Sequence, residues 1–515
     1  MEIVLLVSRA STKYVLGLTL GSIMSCAFAP CNWWPLAFIC PLALIFLWHN
    51  CTPREGFILG WLFIFGLYVV GLKWILECIT DLGINRILAV IYLIVFLGFY
   101  ACLFTNLIGY IYRRFWYKNS FANLCFSLPC LWVLLEWLRS WLCSGYPWFI
   151  IGYSQLDTPL RNYAPIFSVF GVSFFLIQTV CLLFIILTFK PFWSHTKTCA
   201  LLTIVAIWGG GLLLEKVNWV PLAHEKYEVG IIQANITKRL KTLMRFDEHI
   251  NLYGPLLHNA KDYSLIILPE ASIPLYSPLN QGVINLYAKF AQENNTSVII
   301  GTLQLNSSSN KLRNTMLVLG TGSGSYTKQH LLAWWELLPF EKVLRNVPAI
   351  YEMKKFWFEP GSIATDLPHN AHSKIAPSIC YEIVFPELVR HSILNSQAEV
   401  IVNISEDAWI DHGWGLEQNL QIVRMRALET GRYILRSATS GISAIIDPKG
   451  KIISQTQLHT RQVLHGNYQN AEGLTPWLYI GTNKLMLGIA LLFLISILKN
   501  LYAYVPKFLE RIPEI

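Results

Sequence analysis

Long apolar runs separated by short polar loops fill the N-terminal part of this chain, and the pattern changes after about residue 220. Crossing roughly 30 Å of hydrocarbon takes about 20 apolar residues in a helix. Runs of this length predict eight membrane-spanning helices, seven before a long polar region and one after it: 12–29, 33–49, 56–79, 87–112, 121–143, 164–189, 198–216 and 475–503. A signal-peptide cleavage site could follow Ala29. Because Pro30 comes directly after it, we interpret the first run as a span.

The polar region alternates short apolar stretches with amphipathic ones. Bounding Gly, Asn, Pro and Asp residues predict strands at 228–235, 263–270, 296–305, 314–320, 374–382, 398–406 and 441–452. Helical spacing of apolar residues predicts helices at 245–260, 284–295 and 416–432. This alternation predicts an α/β domain with a sheet packed between helices. The expected domains are therefore a transmembrane domain at 1–219, the α/β domain at 220–472, and a final span with its tail at 473–515.

Composition supports the membrane prediction and gives its orientation. The chain of 515 residues is 54% hydrophobic and only 14% charged, against about 25% charged in soluble proteins. Basic residues resist translocation, and those of the short loops gather on one side: Arg9, Lys13, Arg54, Arg113, Arg114, Lys118, Lys190, Lys197, Lys499, Lys507 and Arg511. That side is predicted to be cytoplasmic, which puts the α/β domain outside. The basic residues of the cytoplasmic loops account for the net charge of +9. The sequence has no stripe of basic residues interleaved with aromatic ones, so nucleic acid is not an expected partner.

Only one of the 12 cysteines lies in the polar region, and this residue, Cys380, closes a predicted strand. A buried structural thiol is one interpretation, since free cysteine packs as a small hydrophobe. However, a domain outside the cytoplasm with a single cysteine forms no internal disulfide, and an exposed thiol there is easily oxidised. Its presence therefore favours a chemical role. No histidine or cysteine cluster has ligand spacing, so neither a metal nor another cofactor is expected.

Two further residues at strand ends complete a candidate catalytic set with Cys380. A thiol is a poor nucleophile at neutral pH unless a base or a cation favours its thiolate. Glu270 could accept the thiol proton, and Lys328 could stabilise the tetrahedral intermediate together with the backbone N–H of Tyr381. These three side chains predict acyl transfer through a thioester.

The segments ILPEAS, SYTKQHL and SICYE, which carry Glu270, Lys328 and Cys380, resemble the nitrilase or carbon–nitrogen hydrolase superfamily. The resemblance implies a nitrilase-like α/β sandwich and a Glu-Lys-Cys triad. It also implies supporting roles for Glu336, which would help to place the lysine, and for Tyr381 and Glu382, which follow the nucleophile.

The whole chain resembles the apolipoprotein N-acyltransferase family, because spans flank the domain and because residues 28–44 and 132–158 are similar to family segments. The resemblance implies a multi-pass enzyme of the bacterial inner membrane with its catalytic domain on the periplasmic side. It would move an acyl chain from a phospholipid to the N-terminal amine of a diacylglyceryl lipoprotein, and by family analogy it would be a monomer. Within the second segment, Glu136 and Arg139 are spaced to pair on one helix face.

The sequence departs from the family after the lysine, where the motif HLVPFGE becomes HLLAWWE. Its Trp334 and Trp335, with Trp409, could bind membrane lipid or an acyl chain, since indole suits the membrane interface, and each equally fits core packing. A membrane-tethered amidase or nitrilase that releases acid to water would carry the same triad, and a non-enzymatic lipid scaffold is a second alternative.

Overall fold

The computed structural model describes residues 10–81, 85–101, 105–116, 121–142, 145–190, 194–236, 246–273, 278–333, 336–337, 358–362, 367–410 and 413–509. The chain forms two compact units. One comprises residues 1–217, 412–414 and 480–515, and the other comprises 218–411 and 415–479.

The first unit is helical. In chain order its helices are α1 Ala10–Met24, α2 Leu36–His49, α3 Pro53–Gly71, α4 Lys73–Thr80, α5 Arg86–Ala101, α6 Thr105–Phe115, α7 Leu128–Trp141, α8 Ala164–Thr188 and α9 His195–Leu214, and a later helix covers Thr482–Leu509. Local sequence explains how α3 starts: Thr52 and Glu55 form a capping box and Pro53 takes the first helical position, which needs no N–H donor. Within α8 the helix is broken at Phe167 and Ser168.

Three helices among the described residues are long and apolar enough to cross a membrane: Pro53–Gly71, Pro159–Thr188 and His195–Leu214. Shorter apolar helices cover Leu36–His49 and Thr482–Leu498. Membrane character is therefore supported, whereas the count of eight spans and their orientation stay predictions.

The second unit is an α/β domain. Its strands are β1 Tyr227–Gln233, β2 Leu265–Ile267, β3 Ser297–Asn306, β4 Lys311–Gly320, β5 Ser325–Thr327, β6 Ile375–Ile379, β7 Val400–Ser405, β8 Ile434–Ala438, β9 Ala444–Ile446, β10 Ile452–Gln455 and β11 Gln462–Tyr468. Its main helices are α10 Phe246–Asn259, α11 Pro278–Glu293, α12 Pro386–Ser396 and α13 Gly415–Thr430. In the described part of the chain, one sheet has the order β11-β1-β2-β3-β4-β5 and the other has the order β10-β9-β8-β7-β6.

The two sheets share a buried apolar core. Ile231 and Ile267 of the first sheet belong to the same fully buried cluster as Ile379, Val402 and Leu435 of the second. Residues on the other face of the first sheet form a separate core with α10 and α11, while α12 packs on β6. Each fully buried aliphatic side chain contributes about 1.5–3 kcal/mol. This layering confirms the predicted α/β class and brings the carboxyl ends of β2, β6 and β7 into the interior of one domain.

Candidate active site

Cys380 lies in a strained turn at the carboxyl end of β6. The strand is buried at every position, and a 3₁₀ turn, Cys380–Val384, starts directly after it. The φ angle of Cys380 is +54°, which is uncommon for a residue with a side chain and is a strain that clusters at functional sites. The thiol is half-buried and packs beside the core between the sheets.

Glu270 lies three residues beyond β2 and is fixed by two hydrogen bonds. Its Oε1 accepts a hydrogen bond of 2.6 Å from Asn314 Nδ2, and its Oε2 accepts one of 2.7 Å from the backbone N–H of Glu406. The β3 backbone approaches closely, since a Cβ on Gly301 would lie 2.7 Å from the Glu270 Cα. Only 6% of the carboxylate side chain is exposed.

Lys328 follows β5 and lies between two carboxylates. Its Nζ donates to Glu336 Oε1 at 2.8 Å and lies 3.7 Å from Glu270 Oε1. The other oxygen of Glu336 accepts a hydrogen bond of 2.7 Å from the backbone N–H of Leu332, so Glu336 also closes the loop after the lysine. Because the Lys328 side chain is only 2% exposed, its ammonium depends on these carboxylates for compensation.

The electrostatics of this cluster favour a neutral thiol next to a fixed cation. Burial raises the pKa of Glu270, although the charge of Lys328 opposes the shift. Burial also disfavours the ammonium of Lys328, but the charges of Glu336 and Glu270 outweigh it and raise the pKa of that lysine. Burial first, and then the charge of Glu270, raises the pKa of the Cys380 thiol, while Lys328 opposes the shift. The thiol proton therefore needs an acceptor, and Glu270 is a carboxylate of raised pKa whose charge acts on Cys380.

Glu382 connects the lysine strand to the cysteine turn. Its carboxylate is 1% exposed, and burial raises its pKa. Four donors surround it: Tyr326 OH at 2.9 Å and the backbone N–H groups of Gln329 at 2.7 Å, His330 at 3.0 Å and Ile379 at 2.8 Å. Because a carboxylate in its ionised form only accepts hydrogen bonds, four donors match an ionised Glu382.

The predicted aromatic residues are described only in part. The ring of Tyr381 packs edge-on against Phe385, with centroids 5.2 Å apart. Trp409 ends the 3₁₀ turn Asp407–Trp409, and its side chain lies outside what the structure describes, as do Trp334 and Trp335.

Sequence reasoning missed a polar row that crosses the second sheet beneath the cysteine. Ser378, Asn403 and Arg436 are register neighbours on β6, β7 and β8. The guanidinium of Arg436 binds both carboxylate oxygens of Asp407 at 2.8 and 2.9 Å. The available signal was an Asn and an Arg inside largely apolar strands, since such groups are rarely buried without partners. No group of three possible metal ligands occurs among the described residues.

In the helical unit, Glu136 and Arg139 anchor the segment that follows α7. Glu136 Oε1 accepts a hydrogen bond of 2.9 Å from the backbone N–H of Ile151. Arg139 Nη1 donates to the carbonyl oxygens of Tyr146 at 3.2 Å and Trp148 at 2.5 Å. The spacing predicted that the two side chains could pair, and the structure shows each of them binding the backbone of the same segment.

Comparison with known proteins extends over nearly the whole chain. Residues 20–182 match the family model described as the apolipoprotein N-acyltransferase N-terminal domain, and residues 228–472 match that of carbon-nitrogen hydrolase. The apolipoprotein N-acyltransferase of Coxiella burnetii is 33% identical over 489 residues, which cover 93% of this chain and 99% of that protein. That of Vibrio parahaemolyticus is 30% identical over 488 residues, covering 92% and 95%.

Among solved structures, Saccharomyces cerevisiae Nit3, a member of branch 10 of the nitrilase superfamily, aligns with a TM-score of 0.36 and 17% identity, covering 48% of this chain and 90% of its own. The family assignment depends on the sequence matches, which span both units. This chain belongs to the apolipoprotein N-acyltransferase family.

Proposed function

We propose that this protein transfers a fatty acyl chain from a phospholipid to the N-terminal amine of a diacylglyceryl-cysteine lipoprotein, through a thioester on Cys380. The observation that carries the proposal is the buried cluster in which Lys328 Nζ lies 2.8 Å from Glu336 and 3.7 Å from Glu270. The cluster is found in a chain whose relatives are named apolipoprotein N-acyltransferases.

In the first half-reaction, Cys380 Sγ attacks the carbonyl carbon of the phospholipid ester while Glu270 takes the thiol proton. The tetrahedral intermediate carries negative charge on its oxygen, which Lys328 and the backbone N–H of Tyr381 stabilise. When the carbon–oxygen bond breaks, Glu270 returns the proton to the departing alkoxide. The lysophospholipid leaves, and the acyl chain stays on the sulfur as a thioester.

In the second half-reaction, the lipoprotein amine attacks the thioester carbonyl and Glu270 accepts a proton from the nitrogen. The carbon–sulfur bond then breaks and the proton returns to Cys380, so the enzyme is regenerated and an amide is formed. A raised pKa suits Glu270 to this work, because a base whose pKa lies nearer the working pH both accepts and returns protons. Glu336 holds Lys328 in place throughout.

The membrane arrangement is part of the proposal. We propose eight spans in the inner membrane, with a transmembrane domain at 1–219, a periplasmic catalytic domain at 220–472, and a final span with its cytoplasmic tail at 473–515. We also propose that the protein is a monomer. The apolar helices support this membrane arrangement, as do the basic residues of the loops, which gather on one side. Both substrates are held in a bilayer by their acyl chains, which gives a physical reason for anchoring the catalytic domain. We propose that Trp334, Trp335 and Trp409 bind the acyl chain, since indole suits the membrane interface.

The experiment supplies purified full-length protein with phosphatidylethanolamine and a synthetic diacylated lipopeptide. We expect a triacylated lipopeptide and one lysophospholipid per transfer, both detected by mass spectrometry. A matched reaction with an N-acetylated lipopeptide, which has no free amine, should give no product. Free fatty acid as the main product, with the lipopeptide unchanged, would overturn transfer in favour of hydrolysis.

A further inference from the structure

We propose that Arg436 is a positioning residue that joins the nucleophile turn and the general-base loop into one hydrogen-bonded unit. The inference rests on the function proposed above and adds residues to its machinery. The Arg436 side chain is 1% exposed and that of Asp407 is 2% exposed. Both therefore act inside the domain, where a displaced group has no water to replace its partner.

One side of this unit reaches the nucleophile through Asn403. The amide nitrogen of Asn403 donates to the carbonyl oxygens of Ser378 at 3.2 Å and Cys380 at 3.4 Å. The amide oxygen of Asn403 accepts a hydrogen bond from Arg436 Nη1. This contact fixes which way the amide faces, because only its oxygen can accept from a guanidinium. Arg436 thereby orients the group that binds the backbone of the catalytic cysteine.

The other side of the unit reaches the general base through Asp407. Arg436 Nη2 contacts both oxygens of Asp407 at 2.8 and 2.9 Å, and Ser405 Oγ donates to Oδ1 at 2.6 Å. The residue before Asp407 is Glu406, whose backbone N–H donates to Glu270 Oε2 at 2.7 Å. Holding Asp407 therefore holds the peptide that places the carboxylate of Glu270.

The contacts at this position require an arginine, and another cation would not make them. The planar guanidinium of Arg436 binds Asn403 and Asp407, and its Nε also donates to the carbonyl oxygen of Ile442 at 3.3 Å. A lysine has a single nitrogen on a flexible stem and cannot reproduce this fork. The charge also matters, because Asp407 is among the groups that raise the pKa of Cys380, and Arg436 balances it.

Arg432 provides a matched control. It is 2% exposed and also holds backbone by three contacts, donating to the carbonyl oxygens of Ala398 at 2.7 Å, Thr430 at 2.8 Å and Gly473 at 2.7 Å. The Glu270–Lys328–Cys380 cluster has no part in these contacts. Arg432→Lys therefore imposes the same chemical change on a buried structural arginine.

The experiment compares Arg436→Lys, Asp407→Asn and Arg432→Lys in the purified full-length protein. It measures thermal unfolding, the kcat of transfer, and the pH profile of iodoacetamide alkylation at the Cys380 peptide by mass spectrometry. Arg436→Lys should lower kcat by about 10- to 100-fold, the range expected for misplacement of reacting groups, with KM unchanged. Asp407→Asn should also lower kcat while moving the alkylation profile to lower pH, because removal of a negative charge favours the thiolate. Arg432→Lys should lower the unfolding temperature and leave both kcat and the alkylation profile unchanged.

Several results would overturn the positioning role. One is a wild-type kcat in Arg436→Lys, and another is an Asp407→Asn protein with both the kcat and the alkylation profile of the wild type. If Arg432→Lys lost as much kcat as Arg436→Lys, Arg436 would only stabilise the fold. If Arg436→Lys does not fold, Asp407→Asn decides the matter by the same criteria. Failure of the proposed function would look different, since the wild-type protein itself would then make no triacylated product.

Discussion

Replacing Glu382 by glutamine tests how the lysine strand and the cysteine turn are held together. Glutamine keeps the shape of the side chain but exchanges one acceptor oxygen for an NH₂ donor. Three donors meet Oε1, from Tyr326, Gln329 and His330, and one meets Oε2, from Ile379. The orientation that keeps the most hydrogen bonds therefore turns the NH₂ group toward the N–H of Ile379, and two donors face each other.

The cost follows from these contacts. Hydrogen bonds to a charged acceptor are worth about 1.5–3 kcal/mol and neutral ones about 0.5–1.5 kcal/mol, so the three that remain weaken by about 1 kcal/mol each. The orphaned N–H of Ile379 costs about 1–3 kcal/mol more. Burial disfavours the charge of Glu382, and removing that charge returns part of the loss. We expect a net destabilisation of about 2–4 kcal/mol.

The rate of transfer should fall together with the stability. Gln329 directly follows Lys328, and Ile379 directly precedes Cys380, so relaxation at Glu382 moves two side chains of the proposed triad. A displacement near 1 Å can cost about 100-fold in rate. The assay is the kcat of transfer from phosphatidylethanolamine to a diacylated lipopeptide, with unfolding in urea measured on the same preparation.

Glu387→Gln is the control for this prediction. Glu387 pairs with Arg390 at 2.7 Å, and its side chain is 29% exposed, where an ion pair is worth about 0–1 kcal/mol. We expect nearly wild-type stability and rate from it. If Glu382→Gln matched the wild type in both measurements, or if Glu387→Gln lost as much activity, the reasoning about Glu382 would be refuted.

Three further predictions concern the triad, its pH dependence and acid stability. Cys380→Ala, Glu270→Gln and Lys328→Ala should each abolish transfer in protein that still elutes as folded on size exclusion, and near-normal activity in any one would refute the role given to that residue. Because burial raises the pKa of Glu270 and only its ionised form accepts a proton, kcat/KM should rise along an acid limb with a midpoint above about 4.3, the value of an exposed glutamate. A midpoint at or below that value in initial-rate profiles would contradict this. Burial lowers the pKa of His249 from 6.5 to about 4, so the unfolded chain binds more protons between these values. Stability should then fall by about 3 kcal/mol as the pH drops from 6.5 to 4. His249→Phe should flatten this dependence in thermal unfolding, and an unchanged slope would count against it.

The apolar pattern predicted much of the α/β fold, and a strand that it did not predict shows the limits of that pattern. The stretch 398–406 was predicted as a strand, and β7 covers Val400–Ser405, because its apolar run is bounded by polar residues. The strand β8, Ile434–Ala438, was not among the predicted strands. Its central residue is Arg436, which interrupts the apolar run. Only a buried partner allows an arginine to lie inside such a strand, and the sequence pattern does not show that partner. That partner, Asp407, lies 29 residues away.

The triad was predicted from strand ends together with the nitrilase resemblance. Glu270, Lys328 and Cys380 follow β2, β5 and β6, which belong to two different sheets, so the pattern of one sheet could not show that they meet. The structure places Lys328 Nζ 3.7 Å from Glu270 Oε1, and the catalytic roles of the three residues stay predictions. The sequence did not predict that Asn314 and Glu406 bind Glu270, although both donate hydrogen bonds to its carboxylate. Glu406 acts through its backbone N–H, which every residue other than proline possesses, so its identity carried no signal.

The helical unit shows a further limit of hydropathy. The run 164–189 predicted one continuous span, and α8 covers Ala164–Thr188. Its backbone leaves the helical region at Phe167, with φ −127°, and at Ser168, with φ 58°. Hydropathy averages over a turn or more and does not register a break of two residues.

The most direct test of the central claim is to trap the acyl group on the enzyme. Purified protein is incubated with phospholipid carrying a labelled acyl chain and no lipopeptide, and the Cys380 peptide is then analysed by mass spectrometry before and after a lipopeptide amine is added. We predict one acyl group on Cys380, labile to hydroxylamine, absent in Cys380→Ala and transferred to the amine in the chase. A triacylated product formed without acylation of Cys380, or a chase that leaves the adduct in place, would contradict the account.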